Sequence, residues 1–250
     1  MTEILSEPGS MSLSGHLAEL RRRILVCLIF FAAVVLCLFF QGYVLLDILE
    51  APAKGAIKEF IFTAPTEAFT TYFAVVLLAA FIVSFPVMLY QLWAFVAPAM
   101  PRAFRRATLI WFLFALVSFF GGISFAYGIL LPSAFSFLVG FGEGIAKPMI
   151  SLAQYMTFAV TIVLIGGGVF EIPFLMGVLT EVGLLNTKML RSSRRYAILI
   201  IFIFAAVITP TTDAFNMIVF AVPMVLLFEV GIMICGVIEK RKIKILQEKA

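Results

Sequence analysis

The chain has 250 residues, 63% of them hydrophobic and only 13% charged, with a mean hydropathy of +1.14 and a net charge of +4. So few charges cannot cover a soluble domain of this size, so lipid must be part of the solvent. A spanning helix takes about 20 apolar residues; six such helices with short loops nearly exhaust the length, which excludes a separate soluble catalytic domain and leaves one integral domain, 1–250.

Taken in chain order, residues 1–20 are not a cleavable signal peptide. The apolar stretch after Arg23 runs well past the ~7–15 residues of such a peptide's apolar core and has no small-residue cleavage site. Residues 14–23 lead into the first helix. At helical spacing His16, Glu19 and Arg23 share one face, and Leu13, Leu17 and Leu20 form the other. Two readings stand side by side. In the first, Glu19 pairs with Arg22 or Arg23 of its own helix, a contact worth a few tenths of a kcal/mol. In the second, Glu19 is an acid at the membrane surface, free to receive a cationic ligand.

Six spans follow from length and hydropathy: 24–46, 69–96, 108–139, 152–180, 196–208 and 215–238. Without water to bond the backbone, helix is the form they must take, so the fold class is all-α. The fifth is the shortest, ending at Thr209-Pro210, and needs tilt or a thinned bilayer. Orientation follows from the cations. Arg21, Arg22, Arg23, Arg102, Arg105, Arg106, Lys188, Arg191, Arg194, Arg195, Lys240, Arg241, Lys242, Lys244 and Lys249 fall on one side. Lys54, Lys58 and Lys147 fall on the other. The richer side, with both termini, is cytoplasmic. Opposite it, residues 41–68 carry Asp47, Glu50, Glu59, Glu67, Pro52 and Pro65, and read as an ordered outer cap.

Glu171 is the intramembrane exception, in Gly166-Gly-Gly-Val-Phe-Glu-Ile-Pro173. A carboxylate there is costly and is expected to face protein or a wet cavity. The glycines and Pro173 predict a bent helix with close backbone approach. The plainer alternative is a structural interhelical hydrogen bond. Glu229, nearer the cytoplasmic interface, reads as structural. Pro86, Pro173 and Pro223 each precede an apolar run in the even-numbered spans. They form either a faint transporter-like repeat or the bends of a curved wall.

Enzyme readings fail. Cys27, Cys37 and Cys235 lie in apolar runs, which argues against disulfides and metal sites. Gly140 to Lys147 lacks the Gly-Lys-Ser/Thr ending of a phosphate-binding loop. The sole histidine, His16, is far from any nucleophile-like serine. No cluster has metal-ligand spacing, so neither cofactor nor metal is expected. Positive-inside bias and anionic lipid explain the basic loops without nucleic acid.

Seven segments together resemble the TatC family, the multispanning receptor subunit of the twin-arginine protein translocase. They are His16-Leu-Ala-Glu-Leu-Arg21, Ala64-Pro-Thr-Glu-Ala68, the run from Phe85-Pro-Val-Met to Phe95-Val-Ala-Pro-Ala99, Phe125-Ala-Tyr127, Phe170-Glu-Ile-Pro173, Thr209-Pro210 with Asp213, and Phe228-Glu-Val-Gly231. The resemblance implies a six-helix cupped wall in the bacterial inner membrane that binds twin-arginine signal peptides of folded cargo proteins. It also implies assembly with TatA/TatB-type single-span subunits, self-association in the translocase, and export driven by the proton-motive force. Carried over by motif, the signal-peptide residues are Glu19, Arg21, Arg23, Gln91 and Phe95. Glu171 matches the intramembrane glutamate of the concave face and Pro52 the cap proline. Thr209, Asp213 and Asn216 match a small-subunit contact at the outer end of helices five and six. A planar guanidinium fork favours a carboxylate acceptor, which makes Glu19 the leading candidate.

The chain departs from the family at Phe104, where a second acid is common, so recognition leans more heavily on Glu19. Ala74 stands where a lysine is often found, and the stretch from Thr209 to Asp213 is one residue longer than the common form. The competing function is a proton-coupled solute transporter with Glu171 as carrier; the ordered motifs favour the receptor.

Overall fold

The computed structural model describes residues 13–55, 57, 60–96, 108–142, 149–208 and 214–247. Among them every regular element is helical, as an apolar chain in lipid requires. The opening helix α1 (Leu13–Phe39) stands at the periphery. None of its most apolar stretch is buried inside the protein, and Leu25, Leu28, Ile29 and Leu36 are exposed, as suits a lipid-facing helix. It packs on α3 (Glu67–Val96).

The first span ends earlier than the sequence pattern suggests. Instead of running to residue 46, α1 stops at Phe39, and Gly42–Glu50 forms a separate helix, α2, in the cap. The cause is a tertiary contact. The Tyr72 hydroxyl donates to the Phe39 carbonyl, and Gly42 lies so close to that ring that a Cβ there would sit 2.2 Å from the Tyr72 Cζ. The chain turns because Tyr72 takes the helix end and only glycine fits beneath it.

The cap continues through a 3₁₀ turn, Ala51–Ala53, holding Pro52 where a helix start needs no N–H. Two tyrosines tie the end of α2 to the bundle. Tyr127 donates to the Ile48 carbonyl at 2.6 Å and Tyr155 to the Leu49 carbonyl at 2.8 Å, satisfying acceptors that a helix C-terminus leaves open. Farther on, Ile61 and Ser151 form a parallel bridge, and the buried Glu67 carboxylate fastens the same two segments. It accepts from the Thr63 hydroxyl at 2.9 Å, the Ala64 N–H at 3.2 Å and the Ala153 N–H at 2.9 Å, and also from the Thr63 N–H and Ser151 hydroxyl.

The third span is α4 (Thr108–Phe125), a π-helical turn at Ala126–Leu130 and α5 (Leu131–Gly142). The fourth is α6 (Leu152–Phe170) and α7 (Ile172–Val182), broken at Glu171 with Pro173 in the first turn of α7. This is the bend predicted from the glycines and proline. Close approach is equally clear: a Cβ on Gly122 would lie 2.5 Å from the Gly166 carbonyl, and one on Gly166 would lie 2.3 Å from the Ala126 Cβ. With 56% of its apolar window buried, this fourth span is the centre of the molecule, whereas none of that window is buried in the first. By contrast Pro86 and Pro223 sit inside unbroken helices, so the three prolines do not form equivalent bends.

After α7 the chain turns at Gly183, whose φ of 91° is open to glycine, and forms α8 (Thr187–Ser192), α9 (Arg194–Ile208) and α10 (Ala214–Gln247). Among the described residues, five helical spans are long and apolar enough to cross a membrane: Gly15–Phe39, Glu67–Val96, Ile110–Gly142, Leu152–Val182 and Met217–Ile243. At 15 residues α9 is shorter than these, and a helix of its length spans only about 22 Å of a ~30 Å hydrocarbon layer. The last helix runs nine residues past the expected end at 238. That extension is tied to the end of α7 and the start of α8: Lys242 donates to the Thr180 and Glu181 carbonyls at 3.0 and 2.6 Å, and the Thr187 N–H donates to Glu239 at 2.8 Å. Within the helix before it, Glu229 pairs with Arg194 of α9.

Candidate functional site

The start of α1 and the end of α3 meet because the two helices run antiparallel: Phe39 meets Tyr72 at one end, and His16 meets Phe95 at the other. On α1 the residues at positions 19, 22, 23 and 26 share a face by helical spacing. Glu19, Arg22, Arg23 and Val26 line a cavity of about 290 Å³ with Tyr90 and Gln91 of α3. His16 and Phe95 stack beside it, ring centroids 4.3 Å apart.

Within this cavity the Arg23 guanidinium binds two acceptors. Its Nε donates to Glu19 Oε1 at 2.9 Å, its Nη2 donates to the same oxygen, and its Nη1 reaches Gln91 Oε1 at 3.2 Å. All contacts on Glu19 fall on Oε1; among the described residues Oε2 takes no donor. The Glu19 side chain keeps 35% of its surface exposed, against 22% for Arg23. The first sequence reading, pairing within the helix, is present: Glu19 is held by Arg23, and its partly exposed side chain also lines the cavity.

Of the expected signal-peptide residues, Glu19, Arg23 and Gln91 line the cavity and Phe95 stacks at its edge. Arg21 does not join them. It is exposed and lies two positions from Glu19, a spacing that does not share a helix face. Arg22, Tyr90 and His16 take part instead. The i, i+3 relation of Glu19 to Arg22 was available in the sequence; the meeting with Tyr90 needed the packing of α3.

The remaining candidates lie apart. Glu171 is buried at the α6–α7 break, and among the described residues its Oε1 has no hydrogen-bond partner. It thus faces protein, as a costly intramembrane acid should. Pro52 occupies the 3₁₀ turn of the cap. Thr209, Asp213 and Phe104 fall outside the described residues, as does the side chain of Asn216. No group of three or more metal-ligating side chains occurs among the described residues.

A family model described as Sec-independent protein translocase protein (TatC) matches residues 15–223. A protein of that name from Koribacter versatilis is 36% identical over 228 residues, covering 89% of this chain and 84% of its own. Another from Aquifex aeolicus is 35% identical over 243 residues, covering 95% and 100%. The fold superposes on a crystal structure of the twin arginine translocase receptor TatC with a TM-score of 0.81 at 33% identity, covering 90% of this chain and 99% of that one.

Proposed function

Because the chain belongs to the TatC family of Sec-independent protein translocase proteins, we propose that it is the receptor subunit of a twin-arginine translocase, with the Glu19 cavity as its signal-peptide site. It works in the bacterial inner membrane with both termini cytoplasmic, and α9 completes a six-helix count by crossing a locally thinned bilayer. It captures folded cargo through the paired arginines and scaffolds TatA/TatB-type single-span subunits and further copies of itself. Export then draws on the proton-motive force.

The observation that carries this reading is the Glu19 carboxylate lining the α1–α3 cavity, with one oxygen held by Arg23 and, among the described residues, no donor on the other. A guanidinium is a planar donor fork, and a carboxylate is the side chain that meets it with two parallel, charge-assisted bonds. The cavity is near the lower end of the ~300–1,000 Å³ of small-ligand pockets. That suits side-chain head groups rather than a folded domain, so the cargo itself stays outside. With Phe104 in place of a second acid, Glu19 supplies the anchoring charge.

Site-specific crosslinking from a photoreactive residue at position 90 tests it, since Tyr90 lines the cavity and Glu19 stays intact. Adducts are expected with a precursor bearing Arg-Arg and are expected to disappear when both arginines become neutral. Equal crosslinking to the two precursors would overturn the assignment.

A further inference from the structure

The cavity poses an electrostatic problem for the ligand just assigned to it. Among the described residues, two guanidiniums, Arg22 and Arg23, line it with a single carboxylate. An arginine arriving there meets an acid that is already neutralised and two like charges. A receptor so arranged binds arginine well only if one of its own cations leaves.

Arg23 is placed to be that cation. Its Nε and Nη2 both donate to Glu19 Oε1, the carboxylate an arriving guanidinium would need, and its Nη1 adds a third bond to Gln91 across the helix interface. The bond to Gln91 joins α1 to α3 at the end where His16 also stacks on Phe95. The contact to Glu19 is an i, i+4 pair in a partly exposed setting, a class worth only tenths of a kcal/mol. It is strong enough to hold the acid and weak enough to be exchanged.

Resting on the receptor reading, we propose that Arg23 is a resident guanidinium that occupies Glu19 and Gln91 in the empty receptor and is displaced by an arginine of the signal peptide. Binding is then an exchange of one guanidinium for another, and the net gain comes from Glu19 Oε2 and from the second arginine. Exchange also disfavours simpler cations. An ammonium presents a point charge rather than a fork, so it recovers less than Arg23 gives up. Displacement breaks the Arg23–Gln91 bond, so occupancy of the site is felt at the α1–α3 contact.

Two substitutions separate this from other roles of the same residue. Synthetic Arg-Arg signal peptide is titrated against the full-length, detergent-solubilised chain carrying Arg23→Lys or Arg23→Gln. Lysine keeps the positive charge but cannot make the forked contact. Exchange therefore predicts affinity in the order Gln above Lys above wild type, with Gln about five- to tenfold tighter than wild type. If Arg23 acts only by charge repulsion, Lys equals wild type. If it holds the segment in shape or touches the peptide, both variants bind more weakly. Either result overturns the exchange. In the unaltered protein, ¹⁵N-arginine spectra follow the Arg23 Nε–H, assigned by its loss in Arg23→Lys. It should be protected in the empty receptor and released on peptide addition; unchanged protection would overturn the proposal as well. Glu19→Gln, measured alongside, reports on the receptor reading itself. If that variant binds normally, the assignment of the site fails; if it loses binding while the Arg23 series runs the wrong way, only the exchange fails.

Discussion

Glu67 and Glu19 are both carboxylates at the ends of apolar helices, and they are used in opposite ways. Glu67 receives donors on both oxygens, from Thr63 and Ala64 on one side and Ser151 and Ala153 on the other. It is only 6% exposed, and no acceptor capacity is left for a ligand. Glu19 lines a cavity with one oxygen engaged by one arginine and, among the described residues, no donor on the other. A saturated acid fastens segments of the fold; an acid with capacity in reserve can recognise something outside it. Residue type does not distinguish them, and local sequence barely does. The count of donors does.

The comparison breaks most visibly at Glu67. Replacing it with Ala strands the Ser151 hydroxyl and the Ala153 N–H and frees the 60–66 segment from the start of α6. Thermal unfolding of the solubilised chain should show a loss on the order of 3–5 kcal/mol, with peptide affinity of the folded fraction unchanged. A milder cost would mean that the Ile61–Ser151 bridge holds the cap by itself.

Gly166→Leu comes next, because it tests packing with no carboxylate involved. The new side chain meets the Ala126 Cβ and must part α4 from α6, at a cost of about 1–3 kcal/mol. Wild-type stability in this variant would show that the crossing is looser than the glycine contact implies.

Glu19→Gln sharpens the other side. Stability should fall by no more than about 0.5 kcal/mol, the worth of a partly exposed i, i+4 pair. Affinity for an Arg-Arg peptide should fall at least about tenfold, since a neutral amide loses the charge-assisted fork. Calorimetry on the same preparation reads both. Loss of stability without loss of affinity would move Glu19 into the class of Glu67.

These contrasts also mark what was legible in the sequence. The face of His16, Glu19 and Arg23 follows from helical spacing alone, and the break at Glu171 follows from the glycines and Pro173. Arg21, expected from the motif, is exposed and outside the lining of the α1–α3 cavity, whereas Arg22, three positions from Glu19, lines it, because a helix groups residues three and four apart. The early end of α1 depends on Tyr72, which no pattern within 24–46 reveals. The role of Glu67 depends on Ser151 and Ala153, more than eighty residues away. In an apolar chain, periodicity shows where a helix is permitted, and side-chain-to-backbone bonds from elsewhere in the fold decide where it stops.

A last and smaller test lies in the cap, between the extremes of Glu67 and Glu19. Glu50 closes α2, and its carboxyl is held above the ordinary range, first by burial and then by Asp47, with Lys54 opposing. A raised carboxyl pKa means that the charged form is penalised in the folded state. The contribution of Glu50 is therefore best below the unfolded value of about 4.3 and worsens as pH rises through the raised folded value. Glu50→Gln should thus raise the unfolding temperature slightly at pH 7 and leave it unchanged, or lower it, near pH 3.5. Glu50 is only half-buried, so the gain should be small. An equal effect at both pH values would trace it to packing rather than charge, and Glu50 would then join Glu67 as a purely structural acid of the cap.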